Sequence, residues 1–315
     1  MKYNPKLLSA FGQGGCVFGI SLMDIASRKE NVMVLSTDVS TPAGLDKFKA
    51  TYPERFLNLG IAEQNMIGTA SGLTDEGFKT ISVAQACFIS MRCFEPVRQY
   101  VGYMKSNQIL IGFGSGFSLT FMGNTHYALE DIALMKEIAG MTVIAPSDAM
   151  QAMKALEAAV EHDGPVYIRL FGGTGTPIVY TDDFDYHIGK AIRLKEGKDI
   201  QLIATGSMVD IALKAATDLE SIGLSVSVID MHTIKPLDTS IIDMNSKLLV
   251  SLEEHKVIGG LGSSIADYLC SYKSHPKLLK IGVGDCFSSV GDYSYLMETN
   301  GLSSEKIVEK IKSEI

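Results

Sequence analysis

Between Leu59 and Gly72 the chain sets one carboxylate, Glu63, among very small residues: Gly60, Ala62, Gly68, Ala70 and Gly72. Side chains of that size hold nothing away from the backbone, so a helix here brings Glu63 into close packing with its neighbours. Burial of a carboxylate with no basic neighbour is costly. Such a group stays neutral and donates a hydrogen bond, which suits it to activating another molecule by placing a proton. A second candidate is His126, in Gly123-Asn124-Thr125-His126-Tyr127. It follows the glycine-rich segment Gly112–Gly116, which itself follows a predicted strand. In open α/β sheets that edge is where ligands bind, and an imidazole there can take or give a proton near neutral pH. Asp38, in Ser36-Thr37-Asp38-Val39-Ser40, stands at another strand end. The run Gln85–Arg98 holds Phe88, Ile89 and Arg92 on a predicted helix.

The elements that must position these residues read as alternating strands and helices. Strands are predicted at Val32–Ser36, Thr80–Ala84, Gln108–Phe113, Thr142–Ala145 and Val166–Leu170. Helical patterns fall at about 18–29, 61–73, 88–105, 129–139 and 148–162, with Asp148 as an N-cap and Glu130 and Asp131 opening the helix before it. The alternation predicts a parallel, doubly wound sheet. Gly172, Gly173, Gly175 and Pro177, then the acidic run Asp182–Asp185, mark a linker at 176–190 between domains at 1–175 and 191–315. The second, smaller α/β domain has strands at Ile200–Ala204, Ser225–Ile229, Leu248–Ser251 and Leu279–Val283. Ser207 and Asp210 read as a capping box for a helix ending near Ser221, and helices follow Gly262 and Ser303.

The bulk numbers narrow the function classes. A chain of 315 residues, 46% apolar and 20% charged, suits a soluble protein of two domains. A net charge of −8 with scattered lysines disfavours nucleic acid or an anionic membrane as the target. The five cysteines include no C-x-x-C pair, so neither a disulfide framework nor structural zinc is expected, and a reducing cytoplasm fits. No leader and no segment of membrane-spanning length is expected.

Gly60-Ile61-Ala62-Glu63-Gln64-Asn65 closely resembles the glutamate motif of the transketolases, enzymes that use thiamine diphosphate. Gly123–Asp131 resembles their GxTHxxxED signature, Asp230–Asp238 their D-x-x-x-I-K-P-L-D segment, and Glu253–Ser263 their EEH…GGLGS segment. The resemblance covers nearly the whole chain but only the second half of a full-length transketolase. It implies a pyrimidine-binding domain followed by the transketolase C-terminal domain. It also implies that Glu63 hydrogen-bonds a ring nitrogen of the cofactor's aminopyrimidine, promoting loss of the thiazolium proton. His126 then acts near the substrate hydroxyl and carbonyl. Asp38, Ile61, Phe88, Ile89 and Arg92 fall at the cofactor, with either Phe88 or Ile89 against its ring. His232 and His255 are expected to be structural.

The family's diphosphate and metal site, with its Gly-Asp-Gly motif, has no counterpart here: Gly284-Asp285-Cys286 and Gly291-Asp292-Tyr293 lack the third glycine. The resemblance therefore implies a split enzyme. A separate N-terminal subunit would hold Mg2+ and the diphosphate, with two of each chain in the complex. Positions where transketolases carry basic residues for a sugar phosphate fall on Gly15 or Cys16, Gly114 and Gly172, and the usual Asp before the histidine is Met122. Each lost charge-assisted hydrogen bond removes roughly 1.5–3 kcal/mol. The expected activity is transfer of a two-carbon ketol unit from a ketose to an aldehyde or ketone acceptor, activated or nucleotide-linked sugars among the candidates. The alternatives are a deoxyxylulose-phosphate-synthase-like or keto-acid carboligase component, or a non-catalytic scaffold.

Overall fold

The computed structural model describes residues 3–315. Its first sheet comprises β1 (Val32–Ser36), β2 (Phe56–Asn58), β3 (Lys79–Gln85), β4 (Ile109–Phe113), β5 (Thr142–Ile144) and β6 (Val166–Leu170). Their side chains are almost entirely buried in β1, β4, β5 and β6, as expected for strands covered by helices on both faces. The second sheet comprises β7 (Ile192–Lys195), β8 (Ile200–Ala204) and β9 (Val226–Asp230); after them comes β10 (Thr233–Lys235), and the sheet is completed by β11 (Leu248–Lys256) and β12 (Lys277–Val283). The strand order is β10-β5-β6-β4-β3-β1-β2 in the first sheet and β12-β11-β8-β9-β7 in the second.

Both sheets are parallel except at one edge. There β10 leaves the second half of the chain and pairs antiparallel with β5, Thr233 opposite Ile144. At the edge of the second sheet β7 runs antiparallel to β9. Neither of these short strands, nor β2, stands out in the sequence. Each has three or four residues, too few to display a period.

The first helical run starts at Pro5, not near residue 18, because Asn4 caps it by accepting the Lys6 N–H at 2.9 Å. The run Pro5–Arg28 spans 24 residues and is long and apolar enough to cross a membrane by those measures, contrary to the sequence expectation. Here it is broken by Gly12, at φ 71°, and Val17, Phe18, Leu22 and Ile25 enter the core of the first sheet. Asp148 caps the helix Ala149–Glu161 through the Gln151 N–H at 2.8 Å, as its position predicts. The expected capping box at Ser207 does not form. Asp210 pairs with Lys214 instead, and the Ser207 hydroxyl donates to the buried carboxylate of Glu254. Residues 176–190 cross between the halves without helix or strand, held where the Val179 and Tyr180 N–H groups donate to Asp148.

Candidate active site

The parallel strands bring their C-terminal ends to one edge of the first sheet. The strand order reverses at β1, which lies between β2 and β3, so a crevice opens there. Asp38 follows β1, Glu63 follows β2, Phe88 follows β3, and the loop carrying His126 follows β4. The topology thus collects the sequence-predicted residues at a switch point.

Asp38 is exposed and adopts φ 63°, a left-handed conformation uncommon outside glycine. Asn58 holds it there. The Asn58 side-chain oxygen accepts the N–H groups of Asp38 at 2.9 Å and Gly60 at 3.1 Å, while its amide donates to the Asp38 carboxylate at 3.2 Å. Sequence reasoning passed over Asn58. Its signal is an amide at a strand end, two residues before a glycine that must turn.

Glu63 is the first residue of the helix Glu63–Asp75 and only 3% exposed. It does have a basic neighbour, which corrects the expectation of an unpaired acid. Arg92 Nη1 donates to Glu63 Oε2 at 2.7 Å. The same guanidinium lies over the ring of Phe88, 4.1 Å from its centroid. The ring of His126 meets Phe88 edge-on, at 5.1 Å and 69°. Four residues from three separate segments therefore form one cluster around Phe88. The His126 Nδ1 is bonded to the Thr125 hydroxyl at 2.8 Å, and among the described residues no group bonds its Nε2.

Two sequence-predicted residues stand apart from this cluster. Ile89 is fully buried in the core with Met66 and Ile67, so it offers no surface to a ligand, and of the two alternatives Phe88 is the ring that faces the crevice. The backbone is wound in π-type turns over Phe88–Arg92, which changes the angle between successive side chains from that of an α-helix. Ile61 is 77% exposed at the rim. Burial pushes the thiols of Cys87 and Cys93 up to about 12, which leaves them without nucleophilic character.

The second half of the chain positions the His126 loop. Phe117, Tyr127 and Leu129 pack into the core of the second sheet with Ala204, Met208 and Leu252. The Phe117 N–H donates to Glu254 at 2.6 Å, and the same carboxylate accepts the Tyr293 hydroxyl at 2.7 Å. Gly116 is required beside it: at φ 59°, a Cβ there would lie 2.2 Å from Glu254 Oε1. The Asn124 amide donates to the Ser288 carbonyl at 2.6 Å. Beneath the loop, the buried pair Arg169–Asp131 closes at 2.8 Å, and Arg169 also donates to the carbonyls of Ala128 and Glu254. Asp131 does open its helix, but as a buried ion-pair partner and not as a solvated first-turn acid.

The second sheet has its own reversal, at β8 between β9 and β11. There the Phe117 N–H and the Ser207 hydroxyl both donate to Glu254. Glu253 accepts the N–H groups of Leu261 and Gly262 at 2.7 and 2.9 Å, and burial raises its carboxyl to about 7. Burial lowers both His255 and His232 to about 4, so both imidazoles are neutral packing groups, as expected for structural residues.

A cleft of about 220 Å³ lies along the first helix, lined by Phe11, Gly15, Thr41, Phe113, Phe171 and Gly172 among others, none of them charged. Gly15 and Gly172 are thus brought together, and a Cβ on Gly172 would come 3.2 Å from the Gly114 Cα. Two of the positions where the sequence predicted missing cations, Gly15 and Gly172, thus share one uncharged wall. Among the described residues no group of three or more His, Cys, Asp or Glu is placed to hold a metal ion.

The chain is similar to known proteins over nearly its whole length. The family description "Transketolase, pyrimidine binding domain" matches residues 15–171, and "Transketolase, C-terminal domain" matches residues 189–307. The chain is 36% identical over 300 residues to a transketolase C-terminal section from Methanocaldococcus jannaschii, covering 95% of each. It is also 36% identical to a 6-deoxy-6-sulfo-D-fructose transketolase subunit of Clostridium sp. (strain MSTE9), covering 91% of this chain and 89% of that one. Among solved structures it resembles a split-gene transketolase described as an inactive β4 tetramer, with TM-score 0.85, 35% identity and coverage of 94% and 96%.

Proposed function

Since this chain belongs to the transketolase family, as a thiamine-diphosphate-dependent transferase subunit, we propose that it supplies the pyrimidine-binding half of a two-component transketolase. The observation that carries the reading is the cluster of Glu63, Phe88 and His126 at the switch point of the first sheet. A buried carboxyl beside a part-exposed aromatic ring fits the aminopyrimidine, a flat heterocycle with a nitrogen edge. Glu63 holds a proton at that edge, Phe88 supports the ring face, and Asn58 ties Asp38 to Gly60 alongside. His126 Nε2 faces the substrate side and moves a proton at its hydroxyl or carbonyl. Thiamine diphosphate supplies the carbanion-stabilising chemistry when bound.

The diphosphate and Mg2+ are held by a separate N-terminal subunit, two of each chain forming the complex. The inactivity of the related β4 tetramer, which holds one kind of chain, supports this. The transferred unit is a two-carbon ketol. Its acceptor is an aldehyde or ketone whose far end is not a terminal phosphate held by this chain, because the cleft at Gly15 and Gly172 presents no cation. That a related subunit is named for a sulfonated ketose is in keeping with a family whose sugars do not all end in a phosphate.

Co-purification with the partner, followed by cofactor titration of each chain and of the pair, tests the assembly. Tight Mg2+-dependent binding by this chain alone would overturn the split site. In the reconstituted pair, Glu63→Ala should lower turnover by about 10²–10⁴. Unchanged turnover would leave the chain a scaffold, and efficient decarboxylation of pyruvate would mark a synthase-like carboligase.

A further inference from the structure

Arg92 holds two places that a bound aminopyrimidine needs. Its guanidinium is planar, lies 4.1 Å from the centroid of the Phe88 ring, and donates to the Glu63 carboxylate at 2.7 Å. A flat nitrogen heterocycle stacked on Phe88 and bonded to Glu63 would require the same ring face and the same oxygen. We propose that Arg92 is a placeholder for the cofactor: in the free chain it stacks and pairs in the cofactor's position, and it swings out when the aminopyrimidine enters. This rests on the reading of the chain as a thiamine-diphosphate enzyme.

The exposures of the two partners explain why the arrangement works. Glu63 is 3% exposed, so leaving it without a partner in the empty site would strand a buried charge. Arg92 is 41% exposed at its side chain, so it reaches the carboxylate from the solvent side and can return to water with little loss of hydration. Its backbone stays fixed, because the carbonyl of Arg92 accepts the Gln64 amide at 3.0 Å. Only the side chain needs to move. Displacement frees the Glu63 oxygen that Arg92 occupies.

The sign of the effect separates this role from simple attraction. A residue that merely helped to hold the cofactor, by charge or by hydrogen bond, would weaken binding when removed. A competitor gives the reverse, since the apparent Kd is raised by the fraction of molecules whose site is blocked.

The experiment is a titration of thiamine diphosphate with Mg2+ into the reconstituted pair, carrying wild-type chain, Arg92→Ala or Arg92→Gln, read by isothermal calorimetry. The expected result is a Kd about three- to tenfold lower in both variants, the free fraction of the site having risen. In parallel, the Tm of the unpartnered Arg92→Ala chain should fall by about 2–4 °C, because Glu63 has lost its partner. A Kd that is unchanged or higher in both variants overturns the placeholder role. Absence of binding by the wild-type pair overturns the functional reading itself, and Arg92→Gln, which keeps part of the side chain but neither the charge nor the planar guanidinium, guards against misfolding of the alanine variant.

Discussion

The carboxylate of Glu254 accepts the backbone N–H of Phe117 at 2.6 Å, across 137 residues of sequence. Phe117 begins the loop that ends at His126, and Glu254 stands in β11 of the other sheet. The second half of the chain therefore positions the histidine without touching the chemistry. Glu254→Gln should destabilise the chain by about 1–3 kcal/mol, because an amide cannot accept from Phe117, Ser207 and Tyr293 together. Chemical denaturation measures this, and turnover in the reconstituted pair should fall with it. Unchanged stability and turnover would separate the loop from its anchor.

His126 is only partly buried and bonded locally to Thr125, so the fold does not depend on it. His126→Asn is expected to leave the stability within about 0.5 kcal/mol of wild type. Its kcat/KM should fall by about 10²–10⁴ if the imidazole transfers a proton. Steady-state kinetics and a denaturation curve on the same preparation check both statements.

The uncharged cleft makes a gain-of-function test possible. A Cβ added at Gly15 would sit 3.4 Å from the Phe11 Cβ, an ordinary contact, and Gly15 lines the cleft. Gly15→Arg should lower the KM for pentose-phosphate acceptors by about tenfold, the worth of one charge-assisted hydrogen bond. The KM for an uncharged aldehyde should stay as it was, and equal effects on both acceptors would place the phosphate elsewhere.

Asp230 gives the stability a pH dependence. Burial raises its carboxyl from 3.8 to about 7, although Ser147, Gln151 and Tyr180 all donate to it. Between those values the folded chain holds a proton that the unfolded chain has released. The associated stability is present below about pH 4 and is lost as pH rises through about 7. His232, lowered from 6.5 to about 4, acts in the opposite sense as pH rises from about 4 to 6.5 and partly masks the effect. Asp230→Asn removes only the first contribution. Relative to wild type it should gain roughly 1.4 kcal/mol per pH unit between about pH 5 and 7, measured by urea unfolding at each pH.

Much of the site was legible in the sequence because its signals are local. The strands Val32–Ser36, Val166–Leu170 and Ile200–Ala204 are continuous apolar runs, and their alternation with helices dictates parallel pairing. Glu63 among small residues and His126 after a glycine-rich strand end mark themselves by type and position. Tertiary structure decided what depends on distant partners. Arg92 lies 29 residues from Glu63, and no local pattern announces that the two meet. Whether Phe88 or Ile89 faces the crevice was settled by π winding over Phe88–Arg92, which no residue spacing reveals. The strand Thr233–Lys235, too short to show a period, joins a sheet formed by the other half of the chain. Local sequence sets each residue's chemistry and the direction of its element. The partner of a buried charge is set by chain closure over many residues, and so Glu63 has a cation beside it that its own segment gives no sign of.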